Sequence, residues 1–270
     1  MHAARARGVH VVLVTGRRYP AARRVADELG GEVDLVLHNG ALIVERGGAA
    51  DVAGGSLAAS DLPRTRDGAR VVRCLPLARP TALEAIATGL AHGADPVVHC
   101  GPLGEGRLLV QGVAPSNTLL VYYLDKSHPD VLTVDDLAAA LREDPLQVMF
   151  GGSLEEMARV LPPLRERLGT RARLERTVYP AIGVGIVDVL TPEVGKAEAL
   201  AFLLRRWGLT AAETLAIGDN WNDQEMLRFA GLGLVMGNAA PELRGLGLPV
   251  LPNNEEDGVA VAVERHILQK

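Results

Sequence analysis

The stretch "IGDNWNDQEML", Ile217–Leu227, decides how this chain is read. An apolar run over Thr214–Ile217 ends at Gly218, and a helical pattern takes over at Asn222–Phe229. A short apolar run closed by a glycine and followed by a helix reads as a buried strand feeding a helix. That turn sets Asp219, Asn222 and Asp223 at the carboxyl edge of a sheet, where α/β proteins place their ligands. A carboxylate at the end of a buried strand needs a partner. Helix capping by Asp219 and Asn222 is one solution; a hard divalent cation with oxygen ligands is the other. Capping uses one carboxylate and leaves Asp223 unexplained within the same turn, so the metal site is the preferred reading.

Strand–helix alternation extends on both sides. Toward the C-terminus come a helix at Lys196–Trp207, a strand at Gly233–Met236, a short helix at Pro241–Arg244, a strand at Val250–Leu251 and a last helix at Gly258–Leu268. Near the N-terminus, Val9–Val14 reads as a buried parallel strand and Ala21–Leu29 as a helix ending at Gly30-Gly31. "VDLVLHNGALIVERGG" gives two strands about a turn at Asn39-Gly40, and Gly54–Gly68 reads as loop. The middle differs. Helices at Pro80–His92 and Val134–Arg142 mix with short strands at Pro96–Cys100, Arg107–Val110, Leu119–Leu124, Leu146–Phe150, Arg173–Thr177 and Gly185–Leu190. "SLEEMARVLPPLRERLG" opens as a helix with a capping box at Ser153 and Glu156, and Pro162-Pro163 is expected to bend it or end it early. The pattern predicts a Rossmann-like parallel-sheet core of residues 1–75 and 190–270, interrupted by an α+β domain over 76–189.

The 270 residues are 48% hydrophobic with a net charge of −5, enough for proper cores and too acidic for a general nucleic-acid or membrane partner. No apolar run has transmembrane length. "MHAARARGVHVVLVTGRR" lacks the apolar length and the cleavage chemistry of a signal peptide, so a cytoplasmic location is expected. Cys74 and Cys100 fit a reduced compartment and have no metal-binding spacing. The lysines are Lys126, Lys196 and Lys270 alone, in a chain whose other cations are arginine. Lys196 opens a helix, where the positive end of the macrodipole disfavours a cation unless an anion is near; a solvated surface lysine is the plain alternative. "VVLVTGR" ends a strand in Thr15-Gly16 ahead of a helix, a natural anion site, though such turns are also common as plain structure.

Taken together, "VLVTGR", "LHNGALI", "GK" at Lys196, "GDNWND" and "MGNAAPELR" resemble, in order, the motifs of the haloacid dehalogenase superfamily of phosphohydrolases, in its Cof-like branch with a large α/β cap. The resemblance spans essentially the whole chain. It implies a Mg²⁺-dependent phosphatase of small phosphorylated metabolites, such as sugar phosphates or phosphorylated cofactors. Thr15 and Lys196 would serve as catalytic groups. Thr15, Gly16, Arg17, Asn39, Gly40, Lys196 and Asn222 would bind substrate. Asp219 would be a metal ligand, with Asp223 completing the metal site.

The family's first motif, Asp-x-Asp-Gly-Thr, carries the nucleophile and the acid/base. Only "MHAARARG" precedes the Thr15 strand, and the motif is absent. Asp188 in "GIVDVLT" imitates it, but Leu190 stands at the acid/base position, so Asp188 reads as a hinge-strand residue. A misassigned start or a truncated sequence is the expected cause, and the printed chain is expected to turn over poorly. A sugar phosphomutase and a catalytically dead binding protein remain the alternatives.

Overall fold

The computed structural model describes residues 1–46, 63–101 and 106–269. The loop expected at Gly54–Gly68 lies outside them up to residue 62, as do residues 102–105 within "CGPLGEGR".

One parallel pair with an antiparallel extension forms the first sheet. Strand β1 (Val12–Val14) runs parallel to β2 (Asp34–Leu37); β3 (Leu42–Glu45) and β4 (Arg70–Cys74) follow antiparallel, in the order β1-β2-β3-β4. Every residue of β2 and β3 is buried because helices cover both faces. On one side Leu35, Leu37, Leu42 and Val44 meet Tyr19, Ala22 and Ala26 of α2 (Tyr19–Glu28). On the other, Val36 and Ile43 meet Ala199, Leu203 and Trp207 of α7 (Lys196–Trp207). Alternate residues pointing to opposite faces make this three-layer packing possible. A separate parallel pair, β11 (Leu215–Gly218) and β12 (Leu232–Val235), packs under α7 and α8 (Gln224–Phe229). Among the described residues β1 pairs only with β2, and β11 only with β12. The strand expected at Val9–Val14 is therefore shorter and only partly buried, because one flank of β1 has no neighbour.

The middle of the chain builds a six-stranded sheet of β5 (Pro96–His99), β6 (Leu108–Val110), β7 (Val131–Thr133), β8 (Gln147–Ser153), β9 (Arg173–Tyr179) and β10 (Val184–Leu190), ordered β7-β6-β5-β8-β10-β9. Helices α3 (Arg79–Ala91) and α6 (Leu154–Leu168) cover one face, centred on Phe150.

Three local expectations are corrected. Leu119–Leu124 lies in a helix, α4 (Thr118–Ser127), not a strand. Its sheltered residues Leu120, Tyr123, Leu124 and Ser127 recur at helical spacing, and the Asn117 side chain caps the Leu120 N–H. Helix α6 continues through Pro162-Pro163 to Leu168 rather than ending early. The carbonyls those prolines cannot satisfy belong to Ala158 and Arg159, on the exposed face, where water takes them. The helix expected at Val134–Arg142 shrinks to α5 (Leu137–Ala140), started by Asp136, whose carboxylate accepts from Ala138 and Ala139. The capping box at Ser153 and Glu156 forms with both hydrogen bonds present.

Candidate active site

The turn after β11 is organised by one carboxylate. Asp223 is 5% exposed, and both its oxygens are engaged. Oδ1 accepts from Lys196 Nζ at 2.6 Å; Oδ2 accepts the backbone N–H of Asp219 and of Asn220, each at 3.0 Å. Gly218 is the residue that lets the turn close, since a Cβ there would stand 2.5 Å from that of Asp223. The anion that Lys196 calls for at the start of α7 is thus Asp223 itself. Two buried opposite charges compensate each other, which neither could survive alone.

Asp219 stands differently. Its backbone is fixed by Asp223, but its own carboxylate has no side-chain partner among the described residues and faces solvent. Desolvation at the turn and the adjacent Asp223 carboxylate raise its pKa above the usual carboxylate value, with Lys196 opposing. Asn220 fastens the turn to the six-stranded sheet, donating to Val178 O at 2.9 Å and accepting from Val178 N at 3.2 Å.

The second wall is the turn His38-Asn39-Gly40 between β2 and β3. His38 and Asn39 both hold positive φ, +50° and +56°, and both are buried. Such strain persists only where the surroundings over-determine it. Asn39 Nδ2 donates to Asp188 Oδ2 at 3.0 Å, Asn39 Oδ1 accepts from Asn222 Nδ2 at 3.0 Å, and the Asn39 N–H donates to Thr15 O at 3.1 Å. Gly40, at φ +115°, lets this turn touch the start of α7: a Cβ would fall 2.5 Å from Gly195 O. Gly16 is small for a similar reason, since a Cβ would lie 3.1 Å from Asn39 Oδ1. Thr15 closes β1, its N–H donating to Val36 O at 2.8 Å and its Oγ1 accepting the Arg17 N–H at 3.1 Å. Arg17 itself is exposed.

Hydrogen bonds therefore join Thr15, Asn39 and Asn222 in one chain, and the residue next to Asn222 is the Asp223 that holds Lys196, Asp219 and Asn220. Asp188 is more than the hinge residue read from sequence. It is fully buried, accepts from Asn39 and from Gln147 Nε2 at 3.1 Å, and burial raises its pKa to about 7. Gln147 in turn meets His38 Nδ1 at 3.3 Å, and burial lowers the His38 pKa to about 4. Sequence reasoning missed Gln147, His38 and Asn220. The signal for Asp188 was present: a carboxylate inside the apolar run "GIVDVL" must find a partner.

Comparison with known proteins follows the same lines. Residues 1–55 and 120–263 match the family described as haloacid dehalogenase-like hydrolase. An HMP-PP phosphatase of Serratia proteamaculans is 29% identical over 255 residues, covering 93% of this chain and 80% of the relative. A haloacid dehalogenase-like hydrolase from Bacteroides thetaiotaomicron superposes with a TM-score of 0.74 at 21% identity, covering 97% of this chain and 89% of the other. A HAD subclass IIB sugar phosphatase does so with a TM-score of 0.71 at 20% identity, covering 98% and 88%.

Proposed function

The chain belongs to the haloacid dehalogenase-like hydrolase family, and from that premise we propose that it acts on phosphate monoesters of small metabolites, such as sugar phosphates or phosphorylated cofactors, with Mg²⁺ as its metal. The observation that carries this reading is the buried Lys196–Asp223 pair set beside the unpartnered Asp219 carboxylate at the carboxyl end of β11. A phosphoryl group in that crevice would meet the Lys196 ammonium, the Thr15 hydroxyl and the backbone N–H of Gly16. Pre-set donors of this kind stabilise charge that develops on phosphoryl oxygens. The phosphatase names of the Serratia relative and of the sugar phosphatase support the substrate class.

The residues fit Mg²⁺ in its sparse binding mode, through one or two carboxylates with phosphate and water completing the shell. Asp219 would hold the ion, and Asp223 would orient Asp219 rather than ligate. Among the described residues no group of three or more His, Cys, Asp or Glu side chains could hold a metal by itself. When bound, the ion would neutralise the phosphoryl oxygens.

In this reading the six-stranded unit, about residues 76–189, caps a core of about residues 1–75 and 190–270 and keeps water from the crevice. Asp223 is committed to Lys196 and Asp219 to the metal, so the attacking carboxylate is a further one. That β1 pairs only with β2, and β11 only with β12, among the described residues supports a further strand beside them as its carrier. No helix of the described residues is long and apolar enough to cross a membrane. A cytoplasmic place and a small-molecule partner, rather than nucleic acid or membrane, are part of this proposal, and the net charge of −5 supports the latter.

The test is phosphate release from a panel of phosphorylated metabolites, with and without Mg²⁺, alongside binding of inorganic phosphate. It compares the 270-residue chain with the same chain preceded by a strand carrying Asp-x-Asp-Gly-Thr. Binding without appreciable turnover by the first, and Mg²⁺-dependent release by the second, are expected. Failure of the first to bind phosphate would sink the reading. Turnover by it that Asp188→Asn abolishes would make Asp188 the nucleophile.

A further inference from the structure

One face of β9 looks onto α7, α8 and the turn after β11. Arg173 pairs with Glu198 of α7 and with Glu225 of α8. Further along, Thr177 Oγ1 accepts from Asn222 Nδ2 at 3.3 Å. Side chains alternate along a strand, so Tyr179, which ends β9 opposite Val184, points the same way as Arg173 and Thr177. The main chain is held there by Asn220, whose side chain grips both the N–H and the carbonyl of Val178. Tyr179 therefore stands one step beyond Thr177 on the face that meets the Asp219 turn.

Its surroundings single it out. The charges that act on its hydroxyl come from both walls of the crevice: Asp219 and Asp223 on one, Arg17 and Asp188 on the other. Partial burial, then Asp219, holds the phenol above the ordinary tyrosine pKa, with Arg17 opposing, so it stays neutral at pH 7. Yet Tyr179 is 44% exposed, so its ring is open to a ligand in the crevice. Among the described residues no hydrogen bond reaches its hydroxyl. The face around it is apolar. Val184 and Ile186 lie on the same side of the sheet, and the Thr177 hydroxyl is already engaged by Asn222. Ile182, in the turn after β9, and Trp221, next to Asn220, are exposed as well. Single exposed apolar side chains need no explanation, but several at the mouth of a polar site mark a surface that a ligand covers.

We propose that Tyr179 is a specificity-determining residue: its ring is the surface on which the leaving group of the phosphate ester lies, and it favours a flat, unsaturated ring over a sugar. A flat ring stacks on tyrosine and asks for few hydrogen bonds. A sugar brings several hydroxyls, each costly to desolvate without a partner, and this stretch of β9 offers it one free hydroxyl, that of Tyr179 itself. The inference rests on the reading that the Lys196 crevice binds the phosphoryl end.

The experiment is calorimetric titration of the full chain, with Mg²⁺ present, using inorganic phosphate, phenyl phosphate and glucose 6-phosphate. Wild type, Tyr179→Phe, Tyr179→Leu and Tyr179→Ser are compared. Wild type is expected to bind phenyl phosphate about tenfold more tightly than glucose 6-phosphate, about the worth of one well-placed ring pair. Tyr179→Ser and Tyr179→Leu lose that preference, and Tyr179→Phe, which keeps the ring, keeps it. A preference that survives in Tyr179→Ser or Tyr179→Leu overturns the proposal. So does a parallel loss for all three ligands, or a loss of the preference in Tyr179→Phe, which would put the effect in the hydroxyl. If Tyr179→Ser does not fold, Tyr179→Leu decides by the same outcomes. Wild type that binds no inorganic phosphate overturns the phosphate reading and this inference together. Wild type that binds inorganic phosphate, but phenyl phosphate no more tightly than glucose 6-phosphate, overturns this inference alone.

Discussion

Cutting the Lys196–Asp223 pair from either side should reveal how much of the fold depends on it. The two side chains are 6% and 7% exposed and 2.6 Å apart. Breaking a buried pair by removing one partner costs roughly 3–5 kcal/mol, chiefly because the remaining charge is left uncompensated. Lys196→Met should fall at the lower end, about 3 kcal/mol, since Asp223 keeps two backbone N–H donors that still stabilise its charge. Asp223→Asn should cost more, about 4 kcal/mol, because the amide must turn its oxygen to those N–H groups and present its NH₂ to a buried ammonium. Removing both charges should cost about 4 kcal/mol rather than the roughly 7 of simple addition, a coupling of about 3 kcal/mol. Urea unfolding followed by the fluorescence of Trp207 and Trp221 measures all three variants and wild type. Additivity within about 0.5 kcal/mol would show that the two groups do not compensate each other, and the account of the site as built around Asp223 would fail.

Further outcomes follow from the same geometry. Asp219→Asn should weaken Mg²⁺ binding at least tenfold, read by calorimetry, while changing stability by less than about 1 kcal/mol, because its carboxylate anchors no other side chain. Gly40→Ala should destabilise by about 2 kcal/mol or more, since it adds a Cβ at φ +115° that meets Gly195 O at 2.5 Å. Gly31→Ala, at φ +79° with open space around it, should cost only the backbone strain of about 1 kcal/mol. Asp188 binds its proton more tightly folded than unfolded, with a pKa raised from 3.8 to about 7. The stability that this proton contributes is fully present below pH 3.8 and is lost as the pH rises toward 7. Asp188→Asn should therefore gain on wild type across that window, at up to about 1.4 kcal/mol per pH unit. A difference between the two stability curves that is flat with pH would show that Asp188 titrates normally.

The core was readable because its strands are continuous apolar runs and its turns carry glycines with visible duties. Lys196 at the start of a helix and two aspartates in one turn each posed a local electrostatic problem, and one contact between distant residues answers Lys196 and Asp223 while leaving the Asp219 carboxylate open. Residues acting across long sequence distances were harder to see. Asp188 meets Asn39 and Gln147, far from it in the chain, and no local pattern announces such a junction. The α4 error has a similar origin: "TLLVYYL" is rich in strand-forming residues, and only the capping Asn117 and the contacts of Leu120 and Tyr123 tip it to helix. The prolines of α6 broke no helix because the orphaned carbonyls face water, and exposure of that kind is a tertiary fact.

The unpaired flanks of β1 and β11 also bear on how this polypeptide behaves in a tube. Natural sheets blunt their edges with lysine, proline, bulges or a covering helix. The segments "VLV" and "LAIG" contain none of the protecting side chains. Each offers main-chain donors and acceptors that a strand from a second molecule can take up. Copies at high concentration should therefore stick edge to edge, seen as light scattering that grows with protein concentration and heating. A short β-forming peptide that pairs with either edge should keep the solution clear, which gives a preparative use to these open strand edges.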